Sequence, residues 1–313
     1  MSDNSSPLVQ PTTDYALEPA AQAPEIAAAP TVATLPPSAA DKPTTPTEAN
    51  KSAKKDYALV TGASSGIGEA IARLLASKKK PLVLVGRDET KLKKLAEDLR
   101  HKEGIDARFL AIDLARSKTL PNLPTALKRM GIKVDVLVNA AGFGKRGREA
   151  TINYEDALNT VNLNCRATLA LTKLFLPDMV ARKKGAIINI AAAVGLFPVP
   201  LMATYAASKA FVVSWSQALS QELKKTGVRV LCVCPGPTAT KFYERAGIRT
   251  STVPHLQSLN DPQTIAEQIM QALKDGKTFA VVGSQPFLMK YLPKLVPRQA
   301  LLQYGSSLLE ETN

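Results

Sequence analysis

Tyr205 and Lys209 stand four residues apart in the run YAASK (205–209). On a helix that spacing projects both side chains from one face. A free phenol titrates near pH ~10, too high for an efficient base at neutral pH. An ammonium beside it stabilises the phenolate, so the pair suits passing a proton to or from an oxygen. A second run, TGASSGIG (61–68), places Ser64, Ser65 and Ile67 among the glycines Gly62, Gly66 and Gly68. Glycines there allow a tight turn and close backbone approach, and the amides of a helix starting there face a phosphate group. The same letters contain G-x-S-x-G, with Ser64 where a hydrolase carries its nucleophile. That reading fails: the hydrolase elbow follows several strands of its sheet, and neither His101 nor His255 sits as a triad partner.

These residues need elements to position them, and the chain supplies an alternation. YALVTG (57–62) is a short apolar run of strand formers. From Gly66 to Ser77, Ile67, Ala70, Ile71, Leu74 and Leu75 fall on one helical face. PLVLVG (81–86) is a second strand, followed by a helix over 88–100 with Asp88 as N-cap. Then come ARFLAID (107–113), a helix within 116–130 and VDVLVNA (134–140). A long helix over about 153–183 precedes AIINIA (186–191), and a helix over 203–225 precedes VRVLCVC (228–234). A last helix over 261–274 leads to TFAVV (278–282). Apolar strands alternating with amphipathic helices predict an α/β domain, a doubly wound parallel sheet of about seven strands in the Rossmann manner. Ligands of such sheets lie at the carboxyl ends of the strands. The glycine run falls between the first strand and the first helix, so a dinucleotide is expected there.

The second strand ends in Gly86 and Arg87, where such folds often carry a carboxylate for the adenosine ribose. A carboxylate would repel a 2′-phosphate; a guanidinium binds it in a forked geometry. NADP (NADPH) is therefore expected over NAD. Asp113, followed by Leu114, ends the third strand and is placed to accept from the adenine amino group. NAAG (139–142) ends the fourth, with Asn139, Ala140 and Gly142 letting the backbone pass under the cofactor.

The set TGASSGIG, NAAG, YAASK and PG (235–236) resembles the short-chain dehydrogenase/reductases over residues 56–240. The resemblance implies hydride exchange between nicotinamide and a carbonyl or secondary alcohol, and often a homodimer or homotetramer pairing the helices at 153–183 and 203–225. It implies that Tyr205 is the proton donor or acceptor and that Lys209 also reaches the nicotinamide ribose. Asn162, in TVNLN, matches the asparagine that supports a water relay to the lysine. Pro235, Gly236, Thr238 and Thr240 match the segment that orients the nicotinamide carboxamide. One residue departs from the pattern. A serine thirteen positions before the tyrosine usually bonds the substrate oxygen; here that position is Ala192, between Ala191 and Ala193. Losing one such donor costs about 10²–10³ in rate in comparable sites. Two readings stand: a working or slowed oxidoreductase, and a catalytically silent NADP-binding regulator.

Substrate clues are few. Leu196, Phe197, Val199, Leu201 and Met202 favour a lipophilic small molecule, and Lys145, Arg146 and Arg148 would favour an anionic group if they face the pocket.

Composition bounds the rest. The chain has 313 residues and a net charge of +13. Its basic runs are not interleaved with aromatics, and nucleic-acid binding is not expected. Two histidines cannot make a multi-histidine metal site. Cys165, Cys232 and Cys234 are too few for a disulfide scaffold and read as reduced, which suits a cytoplasmic protein. Residues 1–54 form a leader whose first fifty positions hold six acids, one lysine and nine of the 22 prolines. Such a segment cannot bury enough to order itself, and it lacks the apolar core of a secretory signal. The enzyme domain is expected over 55–283. The tail at 284–313 mixes apolar and basic residues with prolines. Closing the pocket or packing between subunits is expected of it before membrane contact.

Overall fold

A computed structural model describes residues 56–309, apart from 119, 254–255, 285–290 and 292–294. The leader at 1–54, its disorder included, and part of the tail lie outside the described residues. The sheet contains β1 (Asp56–Thr61), β2 (Leu82–Gly86), β3 (Ala107–Ala111), β4 (Lys133–Asn139), β5 (Gly185–Ile190), β6 (Val228–Pro235) and β7 (Phe279–Val282). All seven pair in parallel in the order β3-β2-β1-β4-β5-β6-β7. The order reverses between β1 and β4, and a crevice opens there at the carboxyl edge.

Strand side chains alternate between the two faces. Ala58, Val60, Leu82 and Leu84 face one layer, where α1 (Gly66–Ser77), α2 (Glu89–Glu103) and α8 (Pro262–Lys274) bury Ile71, Leu92 and Ile269. Tyr57, Leu59, Val83 and Val85 face the other, where α3 (Leu123–Arg129), α5 (Thr168–Ala181) and α6 (Ala203–Glu222) bury Leu127, Leu171 and Leu219. Each central strand is therefore apolar on both sides, which explains its continuous hydrophobic run.

Helix boundaries moved more than strand boundaries. The helix expected within 116–130 begins only at Leu123, after a short 3₁₀ turn at Leu120–Asn122. The stretch expected as one helix over 153–183 consists of α4 (Tyr154–Val161), a wider π turn at Asn162–Ala167, and α5. Such a turn adds a residue to the local repeat and rotates the side chains beyond it. A third apolar cluster sits beyond the sheet edge. Phe197, Val199 and Met202 meet Ala246 of α7 (Phe242–Ala246), and Leu301 of α9 (Arg298–Ser307) with Leu308 and Leu309.

Candidate active site

The glycine turn is held by geometry that only glycine supplies. Gly62 and Gly66 have φ of 67° and 62°, in the left-handed region. A Cβ on Gly66 would lie 2.8 Å from the Thr240 methyl, so the loop after β6 rests directly on the turn. Ser65 caps α1 without a side-chain bond to its amides, leaving them open to an anion. Below the turn, Thr61 Oγ1 accepts from the amides of Ala140 (3.0 Å) and Ala141 (3.1 Å) and donates to the Val138 carbonyl (3.2 Å). That buried knot ties the end of β4 to β1.

Of the expected cofactor contacts, Gly62, Ser64, Ser65, Gly66, Ile67 and Gly68 line one cavity of about 640 Å³. Arg87, Asp113, Leu114, Ala140 and Gly142 line it too, as do Pro235, Gly236, Thr238 and Thr240. Asn139 does not. Its amide nitrogen donates to Asn189 Oδ1 (2.8 Å) and Thr172 Oγ1 (3.2 Å), inside the protein. Asn189 in turn donates to Ser216 Oγ (2.9 Å). Asn139 thus supports the floor from beneath, because alternation along β4 turns its side chain inward.

Tyr205 and Lys209 come together at the inner end of the same cavity, both buried. Lys209 Nζ donates to the Ile190 carbonyl at 2.9 Å and lies 5.9 Å from the centre of the Tyr205 ring. Burial disfavours the ammonium and lowers the Lys209 pKa to about 8. Burial raises the Tyr205 pKa well above the usual phenol range, and the Tyr243 phenol adds to the rise. The phenol therefore keeps its proton at neutral pH. Gly144 lets the chain after NAAG lie flat on Tyr205: a Cβ there would meet the ring at 2.6 Å. Sequence reasoning expected the segment 143–148 to line the pocket without singling out Gly144.

The two asparagines of TVNLN sit differently. Asn162 is half-buried and does not line the cavity. Asn164, in the same π turn, does not line the cavity either, but it is buried directly behind it. Its Oδ1 accepts from the Phe143 amide (3.0 Å), and its Nδ2 donates to the Phe143 carbonyl and Ser208 Oγ (both 2.8 Å). Gly142 separates it from Lys209: a Cβ there would lie 3.4 Å from Nζ and 3.6 Å from Asn164 Oδ1. An uninterrupted helix would have aimed these residues differently.

Ala192 lines the cavity at the end of β5, in extended backbone. Phe197, Val199, Met202, Phe242, Ile248 and Leu256 make the adjoining apolar chamber, closed by Tyr304, Leu308 and Leu309 of the tail. The expected cationic mouth is differently employed. Arg146 Nη2 donates to the Leu309 carbonyl at 2.8 Å, and Lys145 pairs with Asp156 at 3.6 Å. Neither lines the cavity, nor does Arg148, whereas Arg245 does.

A glycine cradle with open helix amides, an arginine at the end of β2 and a buried Tyr–Lys pair fit a pyridine dinucleotide. A sequence profile of the short chain dehydrogenases matches residues 56–249. The chain belongs to the short-chain dehydrogenase family. The family's fold binds a nicotinamide cofactor, and its members are oxidoreductases. The chain is 37% identical over 202 residues to the very-long-chain 3-oxoacyl-CoA reductase of Rattus norvegicus, a match covering 63% of each. It thus spans about three-fifths of that relative's length. It is 32% identical to the ketoacyl reductase HetN of Nostoc sp., covering 76% of this chain and 82% of that one. Among solved structures, a short-chain dehydrogenase from Sphingobium yanoikuyae in complex with NADPH superposes with a TM-score of 0.68 at 32% identity. That match covers 72% of this chain and 87% of the other. The bulky-bulky ketone specific alcohol dehydrogenase from Comamonas testosteroni gives 0.64 at 30% identity, over 73% and 86% of the two chains.

Proposed function

We propose that this family member is an NADP(H)-dependent reductase of a lipophilic ketone, with a 3-oxoacyl compound as the favoured class. The observation that carries the reading is one cavity with two ends, glycine turn and Arg87 at one and Tyr205 in an apolar chamber at the other. The names of the relatives and the NADPH-bound neighbour support it. The 2′-phosphate falls to Arg87, the pyrophosphate to the amides after Gly66, and the nicotinamide end to Thr238 and Lys209. Bound there, a reduced nicotinamide supplies hydride to a carbonyl carbon. The chain's own part is to hold the carbonyl oxygen against Tyr205 Oη, which carries the proton that oxygen needs. Lys209 stabilises the phenolate left behind. Asn164, rather than Asn162, is placed to support proton return toward Lys209. As pH rises through about 8, Lys209 loses its charge, and reduction slows.

Ala192 favours a second reading, a nucleotide-binding regulator without turnover. The two separate in one experiment: NADPH titration by fluorescence, then a survey of 3-oxoacyl thioesters and bulky ketones with the parent and Tyr205→Phe. The reductase predicts parental turnover that falls about 10³-fold in Tyr205→Phe with NADPH affinity unchanged. Tight NADPH binding without turnover would establish the regulator instead.

The same reading extends to assembly and place. Tyr154, Leu158, Val161 and Leu169 on α4 and α5, with Phe211 stacked on Trp215 of α6, leave apolar side chains on the outer surface. A second copy of the chain covers them in a homodimer or homotetramer. Three free cysteines suit the reducing cytoplasm.

A further inference from the structure

Ala192 removes a hydroxyl from the carbonyl-binding corner, and a replacement is sought among the other residues of the cavity. Of the hydroxyls lining it among the described residues, Ser64, Ser65 and Thr240 belong to the glycine turn and the loop resting on it. Ser258 and Ser284 are exposed. Thr238 Oγ1 donates to the Gly236 carbonyl at 2.8 Å. Tyr304 stands in the outer wall, its ring 5.8 Å from that of Phe197. Tyr205 is the proton carrier, which leaves Tyr243.

Tyr243 is held toward the site. Phe242 packs on Tyr205 with ring centres 4.9 Å apart, and Tyr243 stands edge-on to Phe242 at 5.6 Å and 84°. The Ile248 amide donates to the Tyr243 carbonyl at 2.9 Å, closing α7 onto left-handed Gly247. We propose that Tyr243 is the second hydroxyl donor to the substrate oxygens, doing from the loop after β6 what a serine at position 192 would do from β5. The proposal rests on the reductase reading and names a specificity residue within it. A tyrosine hydroxyl can serve as a preorganised donor to developing negative charge. Burial pushes the Tyr243 phenol up to about 12, so it remains a donor throughout the working range. Its side chain lines the cavity next to Phe242, whose ring touches that of Tyr205, which puts it at the reacting end. Reaching in from a different wall, it suits a substrate with a second oxygen near the reacting ketone, as a 3-oxoacyl thioester has.

The test compares the parent, Tyr243→Phe, Ala192→Ser and the double variant, each full length and each checked by thermal melting. Tyr243→Phe is expected to melt with the parent and bind NADPH within two-fold of it. Its kcat/KM on a 3-oxoacyl thioester should fall about 100-fold. Ala192→Ser should return at least ten-fold of that loss in the double variant, which a merely structural role for Tyr243 would not allow. The affinity of the NADP-loaded protein for the 3-hydroxyacyl product should drop about ten-fold in Tyr243→Phe. Turnover of Tyr243→Phe within three-fold of an active parent overturns the proposal and leaves the reductase reading standing. So does a double variant no better than Tyr243→Phe. A parent that binds NADPH and reduces none of these compounds overturns both.

Discussion

The two ends of the cavity are built differently. The cofactor end is backbone: a turn shaped by Gly62 and Gly66, helix amides behind Ser65, and a strand end locked by the Thr61 knot. The substrate end is side chain. Its walls come from the segment after β5, from α7 and from the far tail, joined where Arg146 donates to the Leu309 carbonyl. Backbone sites tolerate few substitutions because conformation itself is the binding feature. Side-chain walls change one residue at a time, so a hydroxyl can leave position 192 and another can take over its work from a different wall.

That contrast can be broken by substitution. The largest effect is expected at the turn. Gly66→Val forces a β-branched residue to positive φ and into the Thr240 methyl, and NADPH affinity by fluorescence should fall more than about 100-fold. An intact affinity would mean the turn does not hold the pyrophosphate. Next comes the asparagine pair. Asn164→Ala leaves the Phe143 amide and carbonyl and Ser208 without their buried partner. It should lower stability by about 2–3 kcal/mol and turnover with it, while Asn162→Ala should cost under about 0.5 kcal/mol in a denaturant titration. Equal costs would remove the reason for preferring Asn164. The smallest effect is a selectivity. Arg87→Gln should weaken NADPH about ten-fold and leave NADH unchanged, as expected from losing a charge-assisted phosphate contact. NADH binding as tightly as NADPH in the parent would defeat the cofactor assignment.

What was legible in the sequence follows the same division. The alternating strands and helices, the glycine turn, Arg87 and the Tyr205–Lys209 pair are local patterns, and each occupies its expected place in the fold. Asn139 was legible as a strand-end residue but not as one turned inward, because a single residue of register decides the face. Asn162 was assigned by its match to the motif in TVNLN, which holds two asparagines two residues apart, and letters alone do not show which of them the π turn buries. Closure of the pocket by the tail was expected, but which of its residues make the wall, Tyr304, Leu308 and Leu309, depends on contacts across more than a hundred residues, which no local pattern encodes. The use of Arg146 as a tether for that wall was hidden for the same reason.

The central claim is that one pyridine dinucleotide spans this cavity with its reactive ring beside a single phenol. A crystal structure of the protein grown with NADP would test it most directly. The account predicts the 2′-phosphate on Arg87, the pyrophosphate over Gly66 and the nicotinamide ring within contact of Tyr205 Oη. A vacant glycine turn, or a ring lodged away from Tyr205, would contradict it.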